Sequence, residues 1–250
     1  MNVEISGPRI LLSIPQLGGF VLTESVVITW VVMLVLVLLC RFLTKNMQVR
    51  PTKKRQVIAE WMVTSIQGLV KNDMGPRFVS TGYVPFIGAL FALSAGCSIS
   101  SVFGVKAPTS DLSTVLGWAV VVFILITYNK IRSGGIGGYL KSFTEPVFVM
   151  TPMNLISEIA TPLSMTFRHF GNIVSGTVIT ALIYGGLAAL SHGVLGLIPG
   201  ALGKTLSQIP IFQFGLPAVL SLYFDFFSSF MQAFIFCTLT MVYIGGAAGD

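Results

Sequence analysis

"VVITWVVMLVLVLLCRFL", residues 26–43, carries a single charge, Arg41, and that charge lies near its end. A helix needs about 20 mainly apolar residues to cross a hydrocarbon core ~30 Å thick. Thr23 or Glu24 is available to cap its start. The stretch therefore reads as a membrane-spanning helix, residues 22–43. No period-2 alternation runs through it, which argues against a barrel strand. Backbone in lipid must satisfy its own hydrogen bonds, so the remaining apolar runs of this chain are read as helices too.

The whole chain supports that reading. Of 250 residues, 54% are hydrophobic and 10% charged, with a net charge of +6, and the mean hydropathy is +0.85. Soluble domains carry about 25% charged residues. The fold class expected is an all-α polytopic membrane protein, one membrane domain over residues 1–250. It has about five membrane-embedded helices and one interfacial amphipathic helix, the last two spans forming a long tilted hairpin. Eight of the fifteen basic residues fall between Arg41 and Arg77, and Lys130, Arg132 and Lys141 form a second group. By the positive-inside rule both groups are cytoplasmic and the N-terminus is outside. The positive charge thus reports topology, and nucleic-acid binding is not expected.

Residues 54–71 place Val57, Ile58, Trp61, Met62, Ser65 and Leu69 on one face and mostly polar residues elsewhere, the pattern of a helix lying on the cytoplasmic interface. Spans follow over 82–104 and 112–128. The first has Gly88, Ala92, Gly96, Ser100 and Gly104 at every fourth position, a small-residue stripe that lets another helix approach. "KAPTSD", residues 106–111, is an external turn with Asp111 placed to cap the next helix. "NKIRSGGIGGYLKSFTEP" after it reads as a cytoplasmic loop. The last two segments, 150–190 and 211–244, are too long for upright spans and must tilt or bend. Between them "IPGALGKT" ends like a phosphate-binding loop, but Ile198 stands where the first glycine belongs and no strand precedes it, so nucleotide binding is rejected. Cys40, Cys97 and Cys237 are scattered without a CxxC or a histidine cluster, so neither a metal nor another cofactor is expected.

One charge is out of place. "PLSMTFRHFGN", residues 162–172, contains Arg168 with no acid within nine residues on either side. A guanidinium in the membrane costs roughly 2.5–3.5 kcal/mol on insertion scales, and it cannot discharge. Asn154, Glu158, Thr161, Met165, Arg168, Asn172 and Ser175 follow steps of 4 and 3, one stripe of a helix, flanked by Ser157 and Ser164. The final segment has a second stripe of Ser221, Asp225, Ser228 or Ser229, Gln232, Thr240 and Tyr243. Antiparallel packing is expected to set Arg168 opposite Gln232, with Glu158 toward the cytoplasm and Asp225 toward the outside. His169 points about 100° from Arg168 on a helix and reads as packing. An Arg–Asp pair serving only as a buried salt bridge is the bland reading. Intramembrane ionisable groups facing an interior or a cavity more often mark an ion path.

"PLSMTFRHFGNIVSG", "ISEIATPLS" and "MQAFIFCTLTMVYIGGA" together resemble motifs of the subunit a family of the F-type ATP synthase, and the resemblance covers nearly the whole chain. It implies an ion-translocating stator subunit of the two-sector synthase, with two offset half-channels leading to carboxylates on a rotor ring of small c subunits. Arg168 matches the arginine between the channels. Asn172 and Gln232 match residues lining its site, and Glu158 matches the acid of the cytoplasmic path. The polar-stripe residues Ser157, Thr161, Ser175, Ser228 and Tyr243 join them as candidate pathway residues. The implied partners are the c ring, peripheral-stalk b subunits and the lipid bilayer, in the inner (plasma) membrane with the C-terminus cytoplasmic. No nucleotide and no cofactor is implied on this chain. Two positions depart from the family. Thr177 stands where many members have an acid, and Asp225 where they often have a histidine. An acid at 225 would supply the relay carboxylate from the opposite helix. On the third segment "ALSAGCSISS" replaces the usual polar pattern, and Ser98, Ser100 and Ser101 read as packing. The competing classes are a stand-alone secondary transporter binding an anion at Arg168, which lacks the expected internal repeat, and a structural anchor, which gives the arginine no reason.

Overall fold

A computed structural model describes residues 9–14, 20–49, 53–103, 105–145, 147–196, 220 and 222–248. The phosphate-loop look-alike at 198–205, the small-stripe residue Gly104, and Ser221 lie outside them. Two short strands, β1 (Ile10–Ile14) and β2 (Phe20–Thr23), pair antiparallel with a register irregularity between Ile10 and Leu12. The sequence shows this region only as a short apolar patch, and the hairpin is an addition to an otherwise helical chain. The Glu24 amide donates to the Arg9 carbonyl (2.9 Å), joining the hairpin to the first helix.

Six α-helices follow among the described residues: α1 (Glu24–Thr44), α2 (Lys54–Asp73), α3 (Tyr83–Ile99), α4 (Leu112–Ser142), α5 (Thr151–Gly196) and α6 (Ser228–Ala247). All except α2 are long and apolar enough to cross a membrane, α3 together with the 3-10 turn that continues it to Phe103. The chain is an all-α polytopic membrane protein.

Apolar side chains gain little by leaving lipid for protein, so packing rather than the hydrophobic effect holds membrane helices together. The small-residue stripe of α3 provides that packing. A Cβ on Gly96 would come within 2.9 Å of Val32 Cγ1 on α1, and one on Gly88 within 3.2 Å of Ile66 Cδ1 on α2. Thus α3 is clasped from two directions. The core joins Val70 and Met74 at the end of α2, Ile87 and Leu90 of α3, Val122 and Ile126 of α4, Met165 of α5, and Phe236, Cys237 and Met241 of α6.

Helix α2 leaves Val57, Ile58, Trp61 and Met62 exposed, an uncovered apolar face of the kind that lies against lipid. Its polar Gln56 is buried instead. The Gln48 amide donates to Gln56 Oε1 (3.1 Å), and Gln56 Nε2 donates to the Gln48 carbonyl (2.6 Å) and to Glu60 Oε1 (2.7 Å). That clamp ties the basic connection between α1 and α2 to the helix it precedes.

Helix α4 corrects an expectation. Its Asp111 cap is present, accepting from the Ser113 amide at 3.1 Å, but the helix does not stop near residue 128. It runs to Ser142 through the stretch expected as a loop, with one break at Gly135 (φ 67°, ψ 172°). That conformation is essentially restricted to glycine. The glycines of this stretch therefore bend a helix rather than ending it. Helix α5 is one element of 46 residues with Pro162 inside, about 69 Å at 1.5 Å per residue. A π-helical turn, Leu222–Phe227, leads into α6.

Candidate functional site

Helix α5 divides its polar stripe between two surroundings. Met165, Thr166, His169 and Ile173 are buried against the bundle. Arg168, Asn172 and Ser175 are exposed, as are Ser164, Phe167 and Thr177. A difference of one residue, about 100°, thus separates the packed His169 from the uncovered Arg168. Among the described residues Arg168 makes no ion pair and no hydrogen bond. The guanidinium stands on a long strip of α5 that the described residues leave bare.

His169 occupies the other side. It is 1% exposed, set edge-on to Trp118 of α4 (6.2 Å between ring centroids) and Phe236 of α6 (5.6 Å). Neither ring nitrogen has a hydrogen-bond partner among the described residues. It packs, as its direction on the helix suggests.

About 15 Å along α5 from Arg168 (ten residues at 1.5 Å each), Glu158 forms a second centre. Lys130 Nζ of α4 donates to Glu158 Oε2 at 2.6 Å. The Tyr139 hydroxyl donates to Oε1 at 3.4 Å. Asn154, one turn before Glu158, donates to the Phe143 carbonyl (2.9 Å) and the Glu145 carbonyl (3.0 Å), fixing the connection from α4 beside the start of α5. Ser133 donates to the Ala247 carbonyl at 3.3 Å, which brings the end of α6 to the same place. Two cavities adjoin the pair. One of about 230 Å³ is lined by Glu158, Thr161 and Tyr243, and one of about 460 Å³ by Glu158, Ser157 and Asn154.

On α6, Ser229, Gln232 and Thr240 are buried, Thr240 donating to the Phe236 carbonyl at 2.8 Å, while Ser228 is half-buried. No hydrogen bond joins Gln232 to Arg168 among the described residues. Asp225 belongs to the π-helical turn, and its side chain lies outside the described residues. On α3, Ser98 donates to Thr109 (3.2 Å), Ser100 to the Cys97 carbonyl (2.7 Å) and Ser101 to the Ser98 carbonyl (3.0 Å), internal contacts that suit packing. No grouping of three His, Cys, Asp or Glu side chains able to hold a metal occurs among the described residues.

The sequence profile of the ATP synthase A chain family matches residues 26–245. The chain belongs to the ATP synthase subunit a family. Among its relatives is ATP synthase subunit a 2 of Bradyrhizobium sp. (strain BTAi1), 34% identical over 236 residues, covering 94% of this chain and 93% of that protein. ATP synthase subunit a, sodium ion specific, of Propionigenium modestum is 32% identical over 93% of this chain and 76% of its own length. ATP synthase subunit a of Albidiferax ferrireducens is 32% identical over 93% and 89%. Membership in this subunit a family fits the five apolar helices, and the chain is a multi-pass membrane protein.

Within this subunit a fold, Glu158, Ser157, Thr161 and Tyr243 gather at one end of the α4–α5–α6 bundle. Arg168, Asn172 and Ser175 lie on the bare strip. Sequence reasoning missed Lys130 and Tyr139, taking Lys130 only as a topological charge. A signal was available. Lys130 follows Phe123 and Ile126 by seven and four residues, so it continues the face that α4 turns toward its neighbours. It also sits just where Glu158 needs a counter-charge.

Proposed function

We propose that this chain is the ion-translocating stator subunit of an F-type ATP synthase, with Arg168 standing between two half-channels. The observation that carries the reading is the placement of charge on α5. Arg168 is uncovered and unpaired among the described residues, whereas the acid nearest to it in sequence, Glu158, is already held by Lys130. A permanent cation on a bare membrane face calls for a counter-charge from another chain, and a rotor ring of c subunits with one carboxylate each supplies it. A passing carboxylate is drawn to the guanidinium in low dielectric and discharged elsewhere. The fixed positive charge also bars a cation from slipping directly between the two paths.

In this reading the Glu158 cavities form the cytoplasmic half-channel, with Ser157, Thr161 and Tyr243 along it. Asn172 and Ser175 flank the arginine on the ring face, Gln232 backs it from α6, and Ser228 with Asp225 serves the outer path, Asp225 as its relay acid. The N-terminus is outside, the C-terminus cytoplasmic, and b subunits of the peripheral stalk hold the chain against rotation. A membrane potential supplies about 2.3 kcal/mol per charge per 100 mV. Arg168→Ala in the complete synthase, reconstituted in proteoliposomes, tests the reading. Assembly should persist, since no partner within the described chain is lost, and ion-coupled ATP synthesis should disappear. A variant that still couples overturns it.

A further inference from the structure

The two cavities beside Glu158 differ in character and share a wall. The smaller runs between α4, α5 and α6 past Phe123, Ile126, Val242 and Tyr243. The larger is lined by hydroxyl-bearing Ser133, Tyr139, Ser142 and Ser157. Lys130, Glu158, Gly246 and Ala247 line both. The Lys130–Glu158 pair therefore lies in the lining that the two cavities share, a throat with the smaller chamber on one side and the hydroxyl-bearing vestibule on the other.

A cation passing that throat meets a carboxylate whose two oxygens are both engaged, Oε2 by the ammonium at 2.6 Å and Oε1 by the Tyr139 hydroxyl. The two halves of the pair are unequally held. The lysine side chain is 31% exposed and the glutamate 14%, and the lysine's four-carbon stem is flexible. While paired with Glu158, Lys130 Nζ also lies 6.0 Å from the centroid of the Tyr139 ring, so that ring face is within reach of an ammonium displaced from the carboxylate. The lysine is the less enclosed of the two.

We propose that Lys130 is a gating residue of this path. Its ammonium holds the Glu158 carboxylate against the translocated monovalent cation, and it swings toward the vestibule and the Tyr139 ring when that cation takes its place. For sodium the exchange is one cation for another on a fixed carboxylate; for a proton, an O–H bond forms on Glu158 as the ammonium leaves and breaks again when the proton moves on. Lys130 acts through Glu158 as a positioning residue, and the inference rests on the ion-translocation reading above. A merely structural pin between α4 and α5 would have no bearing on how strongly the path takes up its ion.

The test uses the complete synthase in proteoliposomes, pumping on ATP with its Glu158 side facing the medium. One arm follows proton uptake with a pH-sensitive dye across external pH. The other follows radioactive sodium uptake across sodium concentration, so that the transported ion is read in the same experiment. Competition between ammonium and cation predicts half-saturation in the order Lys130→Arg above native above Lys130→Gln. Removing a partly exposed ion pair should lower the half-saturating concentration about fivefold in Lys130→Gln. The two-pronged guanidinium should raise it at least about twofold in Lys130→Arg. Lys130→Gln combined with Glu158→Gln should match Glu158→Gln alone, because the lysine has nothing left to compete for. Half-saturation that is the same across the series, or ordered the other way, overturns the proposal. If Lys130→Gln does not assemble, the arginine variant decides, and a value equal to or below native overturns it. Arg168→Ala runs alongside. If it pumps normally the stator reading fails, whereas a dead Arg168→Ala with a flat Lys130 series removes only the gate.

Discussion

The contact between the ends of α2 and α6 gives the sharpest test of the packing. A Cβ added at Gly245 would lie 3.1 Å from Met74 Cα and 3.2 Å from the Asp73 carbonyl oxygen. Both are backbone atoms and cannot rotate aside, so the helix ends must separate by a few tenths of an ångström. Overpacking of this kind costs about 1–3 kcal/mol. Alanine in place of glycine returns up to about 1 kcal/mol in helix propensity, which confuses the single variant. The neighbouring Gly246 removes the confusion, because a Cβ there meets nothing within 4 Å. Gly246→Ala keeps the propensity gain without the clash, and the difference between the two variants isolates the contact. At about 2–4 °C per kcal/mol for a chain of this size, Gly245→Ala should melt roughly 2–12 °C below Gly246→Ala. The measurement is thermal unfolding of the detergent-solubilised protein followed by intrinsic fluorescence. Midpoints within about 1 °C of each other would refute the close approach of α6 to Met74.

His169→Phe should be neutral or stabilising by about 1 kcal/mol in the same assay, because it replaces two unpartnered buried nitrogens with a ring of similar shape among Trp118 and Phe236. A loss of stability would mean the imidazole has a partner that matters. Gln56→Ala should cost about 1–2 kcal/mol by removing the side-chain bonds to the Gln48 backbone and should speed tryptic cleavage between α1 and α2. An unchanged digestion rate would argue against the clamp.

The span count and the polar stripe of α5 were legible in the sequence because both are periodic properties of single helices. Arg168 announced itself by its missing acid, and it stands exposed on α5 with no ion pair among the described residues. What escaped was set by partners distant in sequence. Lys130 is an ordinary flanking cation until Glu158, 28 residues on, is packed against it. Glycines 134, 135, 137 and 138 spell a loop by composition, yet one break at Gly135 suffices and helix continues on both sides. On a helical wheel Met165 and Arg168 share a stripe, but one is buried and the other bare. A wheel gives direction and says nothing about where neighbouring helices end.

Pro162 sits four residues after Glu158 within α5. Proline has no amide hydrogen, so the main-chain carbonyl of Glu158 is deprived of the donor that a helix would otherwise supply. The residue at the throat thus offers oxygen twice, once from a carboxylate claimed by Lys130 and once from a backbone left without its helical donor. A break in the hydrogen-bond ladder, usually reckoned as a weakness in a helix, here falls beside the one acid of the throat.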